Sequence, residues 1–304
     1  MEPLISVIIP CYNHAHFLGD AISSVNKSEH PDVEVIVIDN GSNDDPGSVA
    51  RSFSRTTCIR QKNLGVAMAR NRGLQESRGR FVVFLDADDM LAPGALDIGV
   101  SALAAHTRAA MVYGRCRRMS RDGTIQSTPE QERIERDHYR ELLKKNYIWM
   151  PGMVMFRREA LERAGGFDPS VNAAADYALY LRVARSHPLY DHARVVAYHR
   201  RHPENIGSNA GRLLQESLTV LRRERPFAVH DATLLAAYYE GWKRWQDYYG
   251  TRLVNEIRSH ARGHQWTRAL RKSARLAWLH PGGLREHALR RLAVSLRGSR
   301  VIRH

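Results

Sequence analysis

Three aspartates stand where an α/β chain would put its chemistry. Asp86 and Asp88 flank a single alanine directly after the apolar run 80–85, and Asp39 closes the run 33–38. In an open parallel sheet, ligands gather beyond the carboxyl ends of the strands, where loops converge on a crevice. Two carboxylates one residue apart at such an end can share a hard divalent cation, Mn2+ or Mg2+, which prefers oxygen and takes few ligands from protein. Such a cation also bridges phosphates, so a diphosphate-bearing molecule is the matching ligand. A plainer use stays open. Aspartate forms turns and caps helices, which suits both Asp86-Ala87-Asp88 and the stretch Asp39-Asn40-Gly41-Ser42-Asn43-Asp44.

Those acids need a sheet to hold them. Residues 4–10 and 33–39 are β-branched runs, near-continuous as strands covered on both faces are. Between them, Phe17, Leu18, Ala21, Ile22 and Val25 recur at helical spacing over 15–26. The pattern repeats as a short strand at 57–60, a helix at 66–76, a strand at 80–85, and a helix from Pro93 to about 105 whose first turn suits proline. Strands alternating with helices predict an α/β fold, an open and mostly parallel sheet with helices on both faces. Next come a strand at 110–115, a turn at Asp122-Gly123, a polar stretch 129–145 that becomes helical, and a strand at 153–156. A helix at 157–164 ends at Gly165-Gly166. A helix at 176–186 and a strand at 195–198 follow. Beyond Asn209 every segment reads as helix, with breaks near Pro226, Gly250 and Pro281-Gly282-Gly283, so a domain boundary is expected near 209.

The segments Ser6-Val7-Ile8-Ile9-Pro10-Cys11-Tyr12-Asn13, Val37 through Asp44, Asn63-Leu64-Gly65 with Ala69-Arg70-Asn71-Arg72-Gly73, and Phe84-Leu85-Asp86-Ala87-Asp88-Asp89 resemble glycosyltransferase family 2 in order and spacing. Gly165-Gly166-Phe167-Asp168 and residues 175–182 look like that family's second half, so the resemblance covers about residues 4–208. It implies a GT-A fold for 1–208, followed here by a basic helical region at 209–304. It also implies a nucleotide-diphosphate sugar donor of UDP or dTDP type, Mn2+ or Mg2+, and inversion at the anomeric carbon. The acceptor would carry a hydroxyl, as a glycan, lipid-linked glycan or small natural product does.

The resemblance also distributes roles. Pro10, Tyr12, Asn13 and Asp39 would hold base and ribose, with Asp39 accepting from the imide nitrogen, and Asn63 and Arg70 would lie on the same nucleotide-sugar side. Asp86 would face the ribose and, with Asp88 and His202, serve the metal. Arg200, with His202, would hold the leaving diphosphate. Inversion needs a base on the face opposite the leaving group, and Asp176 sits where the family keeps it. Capping of its own helix is the other use open to Asp176. Many relatives carry an acid before this residue, and here Ala175 stands instead. Trp149 precedes the acceptor-side strand, where an aromatic could stack on a sugar or pack in the core.

Charge is unevenly spread. The 304 residues carry a net +14, and 205–304 hold 19 Lys and Arg against 7 Asp and Glu. Residues 284–296 read as a basic amphipathic helix, suited to an anionic membrane surface or to a bundle or homo-oligomer contact. No apolar run is long enough to span a membrane and no signal peptide is evident, so a cytoplasmic protein is expected, with peripheral contact at the inner face of the membrane as an option. Cys11, Cys58 and Cys116 lack the paired spacing of a zinc site and are expected as reduced thiols. A nucleotidyltransferase would want a glycine-rich loop after the first strand, and residues 11–16 contain no glycine. A basic nucleic-acid binder would explain the charge but not acids gathered at strand ends, so no nucleic-acid partner is expected. A catalytically inactive basic binding protein is the remaining alternative.

Overall fold

The structure is a computed structural model and describes residues 5–28, 30–202 and 209–280. Its chain divides into two compact units, Met1–Leu142 with Asn146–Asn205, and Leu143–Lys145 with Ile206–His304.

In the first unit, β1 (Ile5–Cys11), α1 (Ala15–Asn26), β2 (Val33–Asp39), α2 (Pro46–Arg51), β3 (Thr56–Arg60), α3 (Val66–Glu76) and β4 (Phe81–Phe84) build a parallel half-sheet in the order β3-β2-β1-β4. Every residue of β1 is buried, which is why its sequence is apolar without alternation. Val7, Ile9, Val35 and Val37 pack against Leu18, Ala21 and Ile22 of α1. Ile36 and Ile38 point the other way, onto Ala69 of α3. Cys11 pairs in register with Asp39, and Asp39 with Arg60, so the carboxyl ends of three strands finish level.

The sheet then changes character. β5 (Met90–Leu91), α4 (Ala95–Ala105), β6 (Met111–Met119), β7 (Ile125–Gln126), α5 (His138–Lys144), a 3-10 turn at Pro151–Met153, β8 (Val154–Arg157), α6 (Arg158–Arg163), α7 (Ala175–Ser186) and β9 (Leu189–Arg200) extend it as β4-β8-β6-β9-β5. β8 runs antiparallel to both β4 and β6, while β6 and β9 are parallel. The expected helix start at Pro93 moves to Ala95 because Met90 and Leu91 pair with Tyr198 and Ala197, and Ala92 N–H donates to Val196 O at 2.9 Å. The last strand accordingly runs from 189 to 200, well beyond the expected 195–198.

The second unit contains α8 (Ala210–Ala228), α9 (Ala232–Arg262) and α10 (Trp266–Leu279). Pro226 lies in the last turn of α8, and the break expected near it falls at 229–231, whereas Gly250 lies inside α9 and does not break it. Gly250 instead permits close approach: an added Cβ would stand 3.1 Å from His280 Cδ2. A second break falls at 263–265. The expected helix at 284–296 and the break at 281–283 lie outside the described residues. Among the described residues no helix is long and apolar enough to cross a membrane. The three cysteines are unpaired, and burial pushes the thiols of Cys11 and Cys116 up to about 12, which keeps them protonated.

Gly73 fixes how α3 lies on the sheet, because a Cβ there would overlap Ile8 Cγ2 of β1. Gly73→Ala should therefore lower unfolding free energy by about 1–3 kcal/mol, the usual cost of overpacking. Chemical denaturation measures this, and an unchanged midpoint would show that α3 can shift freely.

Candidate active site

The carboxyl ends of β1 and β2 are laced together by short polar side chains. Asp39 is 2% exposed, and its Oδ1 accepts from Ser42 N–H at 2.8 Å while Arg60 Nη1 lies 3.5 Å from Oδ2. The turn-forming use of Asp39 is thus realised, with an arginine beside its second oxygen. Asn40 Nδ2 donates to Asn63 Oδ1 at 3.2 Å, and Asn40 Oδ1 accepts from Gln61 Nε2 at 2.9 Å, which ties Asn63 to the end of β2. Asn13 takes a left-handed backbone, φ 57°, and its Oδ1 accepts from Asn43 N–H at 2.9 Å. Pro10 is buried beside Ile38, whereas Tyr12 is 45% exposed, its ring open to a flat partner.

Asp86 and Asp88, expected to share one cation, turn to different partners. Arg70 Nη2 donates to Asp86 Oδ1 at 2.7 Å. Arg70 comes from α3, is buried, and lies 5.1 Å over the Phe167 ring. Asp88 Oδ2 is instead 2.7 Å from His202 Nε2. Burial works against ionising Asp88, but the His202 hydrogen bond and the pull of His14 and His202 hold its carboxyl below the usual range. The structure thus brings Asp88 and His202 together and places Asp86 with Arg70.

Arg200 was expected to face the diphosphate. Its side chain is buried, with Nε donating to Asp88 O at 2.8 Å, Nη1 to Arg121 O at 2.7 Å and Nη2 to Asp20 Oδ2 at 2.8 Å. Its guanidinium also lies 4.7 Å over the Phe17 ring. With its nitrogens engaged in this way, Arg200 braces the turn that carries Asp88. Asp89, which sequence reasoning passed over, takes part in the same brace. It accepts from Arg200 N–H at 2.8 Å and faces His199 Nδ1 at 3.2 Å. Burial pushes the Asp89 carboxyl up to about 7, and Asp89 in turn draws His199 upward against the cost of that ring's own burial.

Asp176 sits in the first turn of α7, where Ala174 is the N-cap and offers no side-chain hydrogen bond. Its Oδ1 accepts from Tyr177 N–H at 2.8 Å, so the capping use is half realised. Burial raises its carboxyl above the ordinary range, against the opposing pull of Arg70. The chain is steered to this point by Asn71, whose Nδ2 donates to Phe167 O and whose Oδ1 accepts from Phe167 N–H, both at 2.8 Å. Gly166, at φ 67°, is required there: an added Cβ would stand 2.7 Å from Asn71 Oδ1. Trp149 is half-buried beneath the Arg118 guanidinium at 5.7 Å.

Donor chemistry tests whether a divalent cation fits. His14, Asp88 and His202 offer one ligand atom each, all within 4.8 Å of one another. A carboxylate with imidazole suits a first-row cation such as Mn2+, whereas Mg2+ prefers oxygen and retained water. The set can therefore hold a first-row divalent cation, Mn2+ among them. His14 was missed because a lone histidine after a strand carries no spacing signal. Only the β1-β4 adjacency puts it beside Asp88.

A sequence model of Glycosyl transferase family 2 matches residues 6–165. Over 208 residues the chain is 30% identical to the chondroitin synthase of Escherichia coli, covering 67% of this chain but only 30% of that protein's length. Among solved structures, the mannosyltransferase PcManGT from Pyrobaculum calidifontis, in complex with GDP-Man and Mn2+, superposes with a TM-score of 0.61. Its identity is 22%, over 92% of this chain and 82% of that one. S. aureus TarS 1-349 in complex with UDP-GlcNAc superposes with a TM-score of 0.56 at 14% identity, over 90% of this chain and 91% of that one. These superpositions establish the GT-A fold. Since the family's pattern covers more than half of the 304 residues, the chain belongs to glycosyltransferase family 2.

Proposed function

We propose that this chain is a metal-dependent, inverting glycosyltransferase that moves a sugar from a UDP- or dTDP-linked donor to a hydroxyl on a glycan, lipid-linked glycan or small-molecule acceptor. One observation carries the reading. The acids of the site fall into two groups of different character, Asp88 with His202 and His14, and Asp176 with Arg70 and Asp86. The first group suits a cation and a diphosphate; the second contains a carboxylate whose burial makes it a stronger base. In the relatives, the PcManGT complex contains GDP-Man and Mn2+ and the TarS complex contains UDP-GlcNAc, which supports a nucleotide-sugar donor here. Residues 1–208 are proposed as the catalytic domain, and the basic helices from 209 onward as serving location or assembly.

In this reading Tyr12 stacks on the base, Asp39 accepts from its imide N–H, and Asn13, Asn63 and Pro10 shape the walls. Asp86, oriented by Arg70, faces the ribose. Asp88 and His202 hold the cation, which when bound neutralises charge on the departing diphosphate. Arg200 keeps the Asp88 turn in place and does not touch donor. Asp176 accepts the proton of the acceptor hydroxyl as its oxygen forms the new bond to the anomeric carbon. The bond from that carbon to the diphosphate oxygen breaks on the opposite face, and the electron pair leaves with the nucleoside diphosphate.

Donor binding should require the cation, so Asp88→Ala should abolish the Mn2+-dependent part of UDP-sugar affinity seen by calorimetry. Equal affinity in excess chelator would remove the metal from the reading. Asp176→Asn keeps the acceptor atom for Tyr177 N–H, so donor should bind normally while transfer falls at least about a hundredfold. Transfer within a few-fold of the original, with a lower melting temperature, would mark Asp176 as a cap instead.

The sign of the pH effect follows from the raised Asp176 carboxyl. A protonated carboxyl cannot accept a proton, so transfer should fall as pH drops through a midpoint above the ordinary aspartate value of about 3.9. Donor binding followed over the same range separates this limb from loss of the cation. If the limb tracks donor binding alone, another group is titrating.

A further inference from the structure

His14 is the one imidazole in the cation cluster that comes from neither the Asp86-Ala87-Asp88 turn nor the segment closing β9. It stands at the N-cap of α1, immediately beyond the loop that ends β1. Its backbone does the structural work there: its carbonyl accepts from Phe17 N–H at 3.0 Å and from Leu18 N–H at 3.1 Å. Its side chain makes no capping hydrogen bond, because Asp44 Oδ2 accepts from Ala15 N–H at 2.8 Å. The ring is half-buried and meets the His202 ring edge-on at 5.4 Å between centroids, with Phe17 at 5.9 Å. Its ligand nitrogen belongs to the set with Asp88 and His202 that falls within 4.8 Å.

We infer that His14 is a third protein ligand, completing a site of two imidazoles and one carboxylate whose function is to select Mn2+ and its first-row neighbours over Mg2+. This rests on the proposed donor-cation site and deepens it. The physical reason is ligand softness. A site of carboxylates and waters suits Mg2+, which dehydrates reluctantly and keeps several waters. Each imidazole replacing an oxygen favours transition ions, whose affinities rise from Mn2+ through Co2+ at nitrogen-containing sites. With Asp86 turned toward Arg70 at 2.7 Å, Asp88 supplies the carboxylate of the set and the other two donors are nitrogens. Such a site has little reason to retain Mg2+.

The 304-residue chain can be titrated with Mn2+ by electron paramagnetic resonance, and with Mg2+ by competition, in the absence of any donor. The original sequence should bind Mn2+ at least about tenfold more tightly than Mg2+, and both His14→Ala and His14→Phe should lose at least about tenfold in Mn2+ affinity with little change for Mg2+. The phenylalanine variant preserves the ring contacts with Phe17 and His202, so retention of Mn2+ affinity in it would mean that His14 only packs, and would overturn the inference. His14→Asp should move the preference toward Mg2+ by restoring an oxygen donor. Equal Mn2+ affinity in the original and in both ring-nitrogen-free variants also overturns it. A transfer assay on the same proteins keeps the two levels apart. Sugar transfer with unchanged metal preference in the variants refutes His14 alone; altered metal preference without transfer from any donor supports His14 and refutes the transferase reading.

Discussion

Three carboxylates crowd into the five residues after β4, and each must meet a counter-charge or lose its ionisation. Side-chain exposure falls from 32% at Asp86 to 10% at Asp88 and 1% at Asp89. Removing a carboxylate from water costs on the order of several kcal/mol unless hydrogen bonds and opposite charge repay it. The fold answers with a separate partner for each: Arg70 from α3, His202 after β9, and the Arg200 N–H with His199 from β9 itself. This requirement explains why β9 is long and why β5 pairs with it. Without that pairing, His199 and Arg200 would not reach the turn, and the acids would face one another.

The parallel half of the sheet was readable because strands buried on both faces leave continuous apolar runs, as in 5–11 and 33–39. Helices α1 and α3 carried clear spacing, and the acids were found at strand ends. What could not be read was pairing at long range. Met90 and Leu91 look like the approach to a helix, and only the opposite strand, over a hundred residues later, makes them β5. The same limit applies to the site. Adjacent aspartates suggest a shared ion, yet Arg70 claims one and His202 the other through contacts 16 and 114 residues apart in the chain. Arg200 looked free for phosphate because its partners Asp20 and Arg121 are distant in sequence. Gly250 looked like a break because a glycine's packing partner, here His280, is invisible until the helices are in place.

Asp176 shows how two opposed effects set one chemical property. Burial drives its carboxyl up, and the charge of Arg70 opposes that rise. The net effect is a carboxylate more basic than one in water, which is what the proposed general-base role would use. Arg70 is therefore the shared element of the two halves of the site. It orients Asp86 by a hydrogen bond and interacts with Asp176 by charge, so in the proposed function donor placement and proton acceptance would be coupled through a single buried guanidinium. In the proposed function the identity of the sugar would be left to other contacts, because one hydroxyl more or less is recognised by a few polar groups rather than by the frame that positions the acids.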